Sequence, residues 1–124
     1  MRSFILLMLS CFVAGCGQKG SQPVSFHNDI QPILDNRCIR CHGSEMAQGQ
    51  ILLTSFDHLM SSRTVKGKNP LVVPGVVAES WLYTLSATDQ PHFRMPPDTA
   101  RLTPLPKNEL ELIARWIMQG AKDN

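Results

Sequence analysis

Cys38-Ile39-Arg40-Cys41-His42 places two thiols three positions apart with an imidazole directly behind them. A C-x-x-C-H run of this kind reads as the covalent attachment site of a c-type haem. Each thiol is spaced to add to one of the two vinyl groups of a single porphyrin, while His42 turns under the ring as the proximal iron ligand. Two other chemistries use paired cysteines. Structural zinc needs four Cys or His ligands, usually as two spaced pairs, and the chain has no second C-x-x-C or H-x-x-x-H pair. A thioredoxin-like thiol pair needs a surrounding βαβ pattern, which is not found here.

The chain has 124 residues, enough for one domain with a modest core. Aromatic residues make up only 6% of it, so an enclosed porphyrin would supply apolar volume that side chains do not. A formal net charge of +2 gives no reason to expect a nucleic-acid partner.

Residues 1–15 read as a secretory signal: a positive charge at Arg2, the apolar run Phe4–Leu9, then small residues. The run is too short to span a bilayer as a helix. Val13-Ala14-Gly15-Cys16 resembles the bacterial lipoprotein processing box, which makes Cys16 the lipidated first residue of the mature protein. The alternative is an ordinary cleavage nearby that leaves Cys16 as a free thiol, a liability in an exported protein. With Cys11 lost in the signal and Cys16 lipidated, only the Cys38 and Cys41 pair remains, and no disulfide is expected. Residues 16–24 then form a Gly- and Ser-rich tether. Gly17–Val24 would reach up to roughly 25 Å from a membrane surface. Gly17 in place of Asp resembles lipoproteins sent to an outer membrane.

The folded domain is expected over 25–124. Phe26, Ile30, Ile33 and Leu34 form one apolar helix face that leads into Cys38. Pro32 fits its opening turn if Asn28 is the cap. His27 is a possible distal ligand, although solvation near a helix start explains it as well. Residues 44–50 read as loop, with Gly49 allowing close backbone approach to the ring, and Ile51, Leu52 and Leu53 as haem wall or core. Thr54 or Ser55 caps a short helix with Phe56, Leu59 and Met60 inward and His58 outward. Arg63, Lys66 and Lys68 make a basic loop, solvated or available to an acidic partner or a haem propionate. Leu71-Val72-Val73 is extended up to a Pro74-Gly75 turn. A helix over 78–85 uses Trp81, Leu82 and Leu85 as its packed side.

Pro91-His92-Phe93-Arg94-Met95-Pro96-Pro97 is a loop, because consecutive prolines prevent regular structure and hold the preceding residue extended. A methionine fixed there is well placed to offer its thioether to iron, and it follows His42 far enough along the chain to reach the other face of a porphyrin. Met8 leaves with the signal, Met46 is too close to His42, and Met60 and Met118 fall on helices. Met95 is therefore the expected sixth ligand, with His92 its nearest rival and core filling its plainer role. In the closing helix, Leu110, Ile113, Ala114 and Ile117 form the buried stripe, widened by Leu112 and Trp116. Thr103-Pro104 offers a start, or Pro106 moves it to Lys107. Glu109 and Glu111 lie at its positive end, and Gly120 stops it.

Taken with the haem motif, the segments Val73-Pro74-Gly75, Met95-Pro96-Pro97, Leu102-Thr103 and Trp116-Ile117-x-x-Gly120-Ala121 resemble a class I monohaem cytochrome c, especially the planctomycete-type cytochrome c domains, over about Ser25 to Ala121. The resemblance implies an all-α, cytochrome c-like fold of three to five short helices around one covalent haem c, ligated by a His and a Met. It also implies haem attachment outside the cytoplasm, in agreement with the export signal. Leu105 and Pro106 are extra residues relative to that pattern.

With His42 and Met95 as ligands the iron has no open position, and soft sulfur stabilises the ferrous state. The expected function is a one-electron carrier, not an enzyme. It would be tethered by lipid to a bacterial membrane, face the periplasm and exchange electrons with donor and acceptor proteins. The alternative is a haem sensor or small haem enzyme with a labile Met95, in which Arg94 or His92 serves as a distal polar group. A third reading, a non-haem thiol or interaction module, requires that the matured chain carry no haem.

Overall fold

The computed structural model describes residues 22–43, 47–64 and 68–124. The signal segment, Cys16, most of the tether, Met46 and Lys66 lie outside the described residues. Among those described the protein is all-α: five helices with no strands. They are α1 (Gln31–Arg37), α2 (Ile39–His42), α3 (Phe56–Ser61), α4 (Trp81–Ala87) and α5 (Lys107–Met118). A single antiparallel bridge joins Arg63 and Pro70 across the loop between α3 and α4.

The apolar face read from Phe26 to Leu34 is buried as expected, with Phe26, Ile30 and Leu34 fully enclosed. Its start differs. Ser25, not Asn28, is the cap, and its hydroxyl accepts the Asn28 N–H at 3.1 Å. The first turn, Phe26–Ile30, is a π-helix that runs directly into α1. Pro32 has no N–H to donate and its ring crowds the turn before it, so a widened turn accommodates it where a tight one would not. The packed domain also begins earlier than composition suggests. Val24 is buried, and its N–H donates to Gln119 Oε1 at 2.8 Å.

α5 closes the domain. It starts at Lys107 behind Pro106, and the extra Leu105 is buried. Ile113, Trp116 and Ile117 are its buried residues, so Trp116 lies at the centre of the stripe and Leu110 and Leu112 at its margins. Its end is a Schellman turn: Gly120 at φ +98° donates to the Ile117 carbonyl and Ala121 to that of Trp116. Phe26 meets Phe56 edge-on at 5.2 Å and Trp116 at 5.6 Å. The sparse aromatics are thus concentrated where the N-terminal helix, α3 and α5 meet.

Ser55 caps α3, accepting the His58 N–H at 3.2 Å. Arg63 is more than a solvated charge. Its Nη1 donates to the carbonyls of Met60, Ser61 and Ser62 at 2.9–3.1 Å, satisfying the end of α3 where a cation is favoured. Trp81 corrects the sequence reading, being 36% exposed. The inner side of α4 is Leu82 and Ser86, and Trp81, at the first position of the helix, falls off that side. Its neighbour Ser80 is fully buried instead. The Ser80 hydroxyl donates to the Val76 carbonyl at 2.8 Å and accepts the Val73 N–H at 2.9 Å, which holds the Pro74-Gly75 turn closed.

Candidate functional site

α1 delivers its helical register to the thiols without a break in hydrogen bonding, since the Cys38 N–H donates to the Leu34 carbonyl at 2.8 Å. At Cys38 the backbone departs from helical geometry, at φ −120°, and α2 begins. The Cys38 carbonyl then accepts from both Cys41, at 3.1 Å, and His42, at 2.9 Å. Both thiols and the imidazole therefore sit on one helical turn. The cysteines are free and half-buried.

Two contacts fix the end of that turn. The Leu53 N–H donates to the His42 carbonyl at 2.9 Å, strapping the following loop to α2. Gly43 is confined by proximity rather than by φ: a Cβ there would lie 2.6 Å from the Ile39 carbonyl oxygen.

The His42 ring is oriented as a metal-binding imidazole requires. Nδ1 lies 3.1 Å from the Gln48 carbonyl oxygen, which can only accept, so Nδ1 carries the proton and Nε2 is left with its lone pair. Gln48 is brought there by a short 3₁₀ turn, Gln48–Gln50, in which Gly49 takes φ +66°. Burial holds the imidazole below its ordinary protonation range, opposed by backbone contacts at Gln48 and Ile51. The neutral, ligating form is favoured.

Cys38 is pushed up to about 12, chiefly by burial, with Glu109 adding and Arg37 opposing. This bears on what the sulfur can become. A reactive or zinc-bound cysteine needs a stabilised thiolate, which this position penalises. A thioether carries no charge and is not penalised. Among the described residues no cluster of three or more His, Cys, Asp or Glu side chains could hold a metal ion by itself. The shared turn, the uncharged Cys38 thiol and the free Nε2 of His42 fit a covalently attached haem.

Glu109 of α5 reaches across to Arg37 of α1, a contact not foreseen in the sequence. Oε1 accepts from Arg37 Nη2 at 3.3 Å, while Oε2 lies 3.3 Å from Nε but off the line of a hydrogen bond, so that contact is ionic. Arg37 Nη1 also donates to Thr103 Oγ1 at 3.2 Å. Two charges of opposite sign at helical positions that face different partners in sequence gave no pattern by which to pair them.

Met95 is in the loop after α4, where its N–H donates to the Leu85 carbonyl at 2.9 Å, and its side chain is 39% exposed. The prolines flank it as expected; the Met95–Pro96 peptide is cis. Its rival His92 is exposed on the turn before it, and Met118 is 59% exposed on α5. Met60 packs partly against the core. His27 is engaged by Asp123, with Nε2 and Oδ1 3.0 Å apart.

No helix among the described residues is long and apolar enough to cross a membrane. Nothing among curated proteins or solved structures matches the chain significantly. A family profile does: planctomycete cytochrome C, over residues 38–99, half of the 124-residue chain. That match opens on Cys38 and takes in Cys41, His42 and Met95, and with it the chain belongs to the planctomycete cytochrome C family.

Proposed function

We propose that the protein is a membrane-tethered, extracytoplasmic one-electron carrier holding one haem c. Family membership supports haem-based electron transfer. The observation that carries the reading further is the His42 turn: two free thiols and an imidazole with its Nε2 lone pair free, all on one helical turn.

The bound haem supplies a one-electron ferric/ferrous couple. Cys38 and Cys41 would hold it through thioethers, and His42, its ring fixed by the Gln48 carbonyl, would ligate the iron. Met95 would be the second iron ligand. Its backbone is fixed at Leu85 and by two prolines, and its thioether is not consumed by core packing. A residue held in this way changes little between oxidation states, which favours fast transfer over substrate binding. Cys16 carries the lipid that keeps the carrier at a membrane, within reach of donor and acceptor proteins.

The test is maturation of the full chain in a cytochrome c-competent, exporting host, followed by intact-mass analysis and potentiometric titration. The expected result is one covalent haem, lost when Cys38 and Cys41 are both replaced by Ala, and a one-electron transition. A matured chain without haem would leave the thiol or interaction-module reading.

A further inference from the structure

Three buried polar atoms lack a hydrogen-bond partner among the described residues: Glu109 Oε2, Arg115 Nε and Arg94 Nε. Glu109 Oε2 has the Arg37 charge 3.3 Å away. Arg115 is committed through Nη2 to the Gln22 carbonyl at 3.1 Å, where the chain enters the domain. Arg94, which stands beside Met95, has like Arg115 another guanidinium nitrogen engaged and no acceptor at Nε. Its side chain is only 18% exposed, and its one carboxylate, Asp98, lies on the solvent side at 61% exposure and takes Nη2. Guanidinium N–H groups are obligate donors, so the buried Nε calls for an acceptor, and a charged one is the best match for a guanidinium. The group assigned to this domain brings two carboxylates of its own.

We propose that Arg94 is a cofactor-binding residue whose guanidinium donates from Nε to a haem propionate while Asp98 holds its other arm. This rests on the haem reading above. Arg94 immediately precedes Met95, so the same bond would tie the loop that carries the sixth ligand to the porphyrin edge. It would also offset a negative charge close to the iron and thereby favour the ferrous state. Lys offers one compact charge and no planar fork, so it is expected to replace Arg94 only in part.

The experiment uses the natively matured, haem-loaded full chain. Resonance Raman spectra of the unmodified protein, Arg94→Gln, Arg94→Lys and Asp98→Asn are compared in the propionate-bending region, and reduction potentials are measured alongside. The unmodified protein should show the hydrogen-bonded propionate mode. Arg94→Gln should retain covalent haem but lose that mode and titrate at a lower potential. Arg94→Lys should fall between the two, and Asp98→Asn should shift the mode by less. An unmodified protein whose propionates already vibrate as free carboxylates overturns the inference without recourse to any variant. So does a haem-loaded Arg94→Gln with mode and potential both unmoved. Absence of haem from the unmodified chain instead overturns the functional reading, a distinct outcome read from the pyridine haemochrome.

Discussion

At the scale of single residues, Gly43 and His42 govern the site. Replacing Gly43 by Ala forces a methyl against a backbone carbonyl that cannot rotate away. The backbone must shift, at a cost of about 1–3 kcal/mol, and Gly43→Ala should lower both the melting temperature and the yield of haem-loaded protein; an unchanged melt would refute the close-contact account. His42 gives the pH dependence. Its folded value lies below the ordinary 6.5, so below that pH the unfolded chain binds a proton that the folded chain refuses. The stability from this ring is complete above 6.5 and is lost as pH falls through the depressed folded value. Urea midpoints of the chain before haem attachment should therefore fall as the pH is lowered from about 7.5 to about 5, and the fall should be absent once Nε2 is taken by iron. The C-x-x-C-H run was legible because it is a local pattern. The constraint on Gly43 was not, because it depends on how one turn of backbone passes another.

At the scale of elements, α1 and α5 are joined by the Arg37–Glu109 pair beside Cys38. The two side chains are about a quarter exposed or less, at 24% and 21%, so the pair falls between a surface bridge and a buried one. Glu109→Gln should cost about 1–2 kcal/mol in thermal or chemical unfolding. Adding Arg37→Met to it should recover part of that loss, by removing the charge left without a partner. Strictly additive losses would mean that the pair is not coupled. Helical periodicity located all the longer helices, and the Gly120 stop was read correctly. The π-helical opening turn escaped it because the response of a helix to Pro32 depends on what the neighbouring turn can accommodate. Trp81 and Ser80 exchanged places for a related reason. A hydroxyl that satisfies backbone groups of a tight turn is worth burying, whereas hydropathy alone favours the indole.

At the scale of the whole molecule, the family match covers the segment from Cys38 to just past Met95 and leaves α1 and α5 outside it. Those outer helices are nevertheless joined by the aromatic cluster of Phe26, Phe56 and Trp116, by the Arg37–Glu109 pair, and by the His27 N–H donating to the Asn124 carbonyl at 3.1 Å. Cys38 is therefore flanked by elements whose sequences carry packing information more than family identity. Membrane attachment is read from the leader alone: Cys16→Ser should abolish incorporation of labelled palmitate, and retained label would place the anchor elsewhere. Local motif chemistry made Cys38, Cys41 and His42 legible as the proposed haem-attachment turn. It left the opposite end as an expectation, because joining Met95 to His42 requires the porphyrin itself to bridge them.

That join is best tested by the optical spectrum of the matured ferric protein in the near infrared, followed by reduction and addition of carbon monoxide, with Met95→Ala as the comparison. Iron held by His42 and Met95 should give a weak sulfur-to-iron band in the unmodified protein, no carbon monoxide adduct, and loss of the band with ready binding in Met95→Ala. A spectrum without the band, together with carbon monoxide binding to the unmodified protein, would contradict it and point to a sensor or enzyme with an open iron.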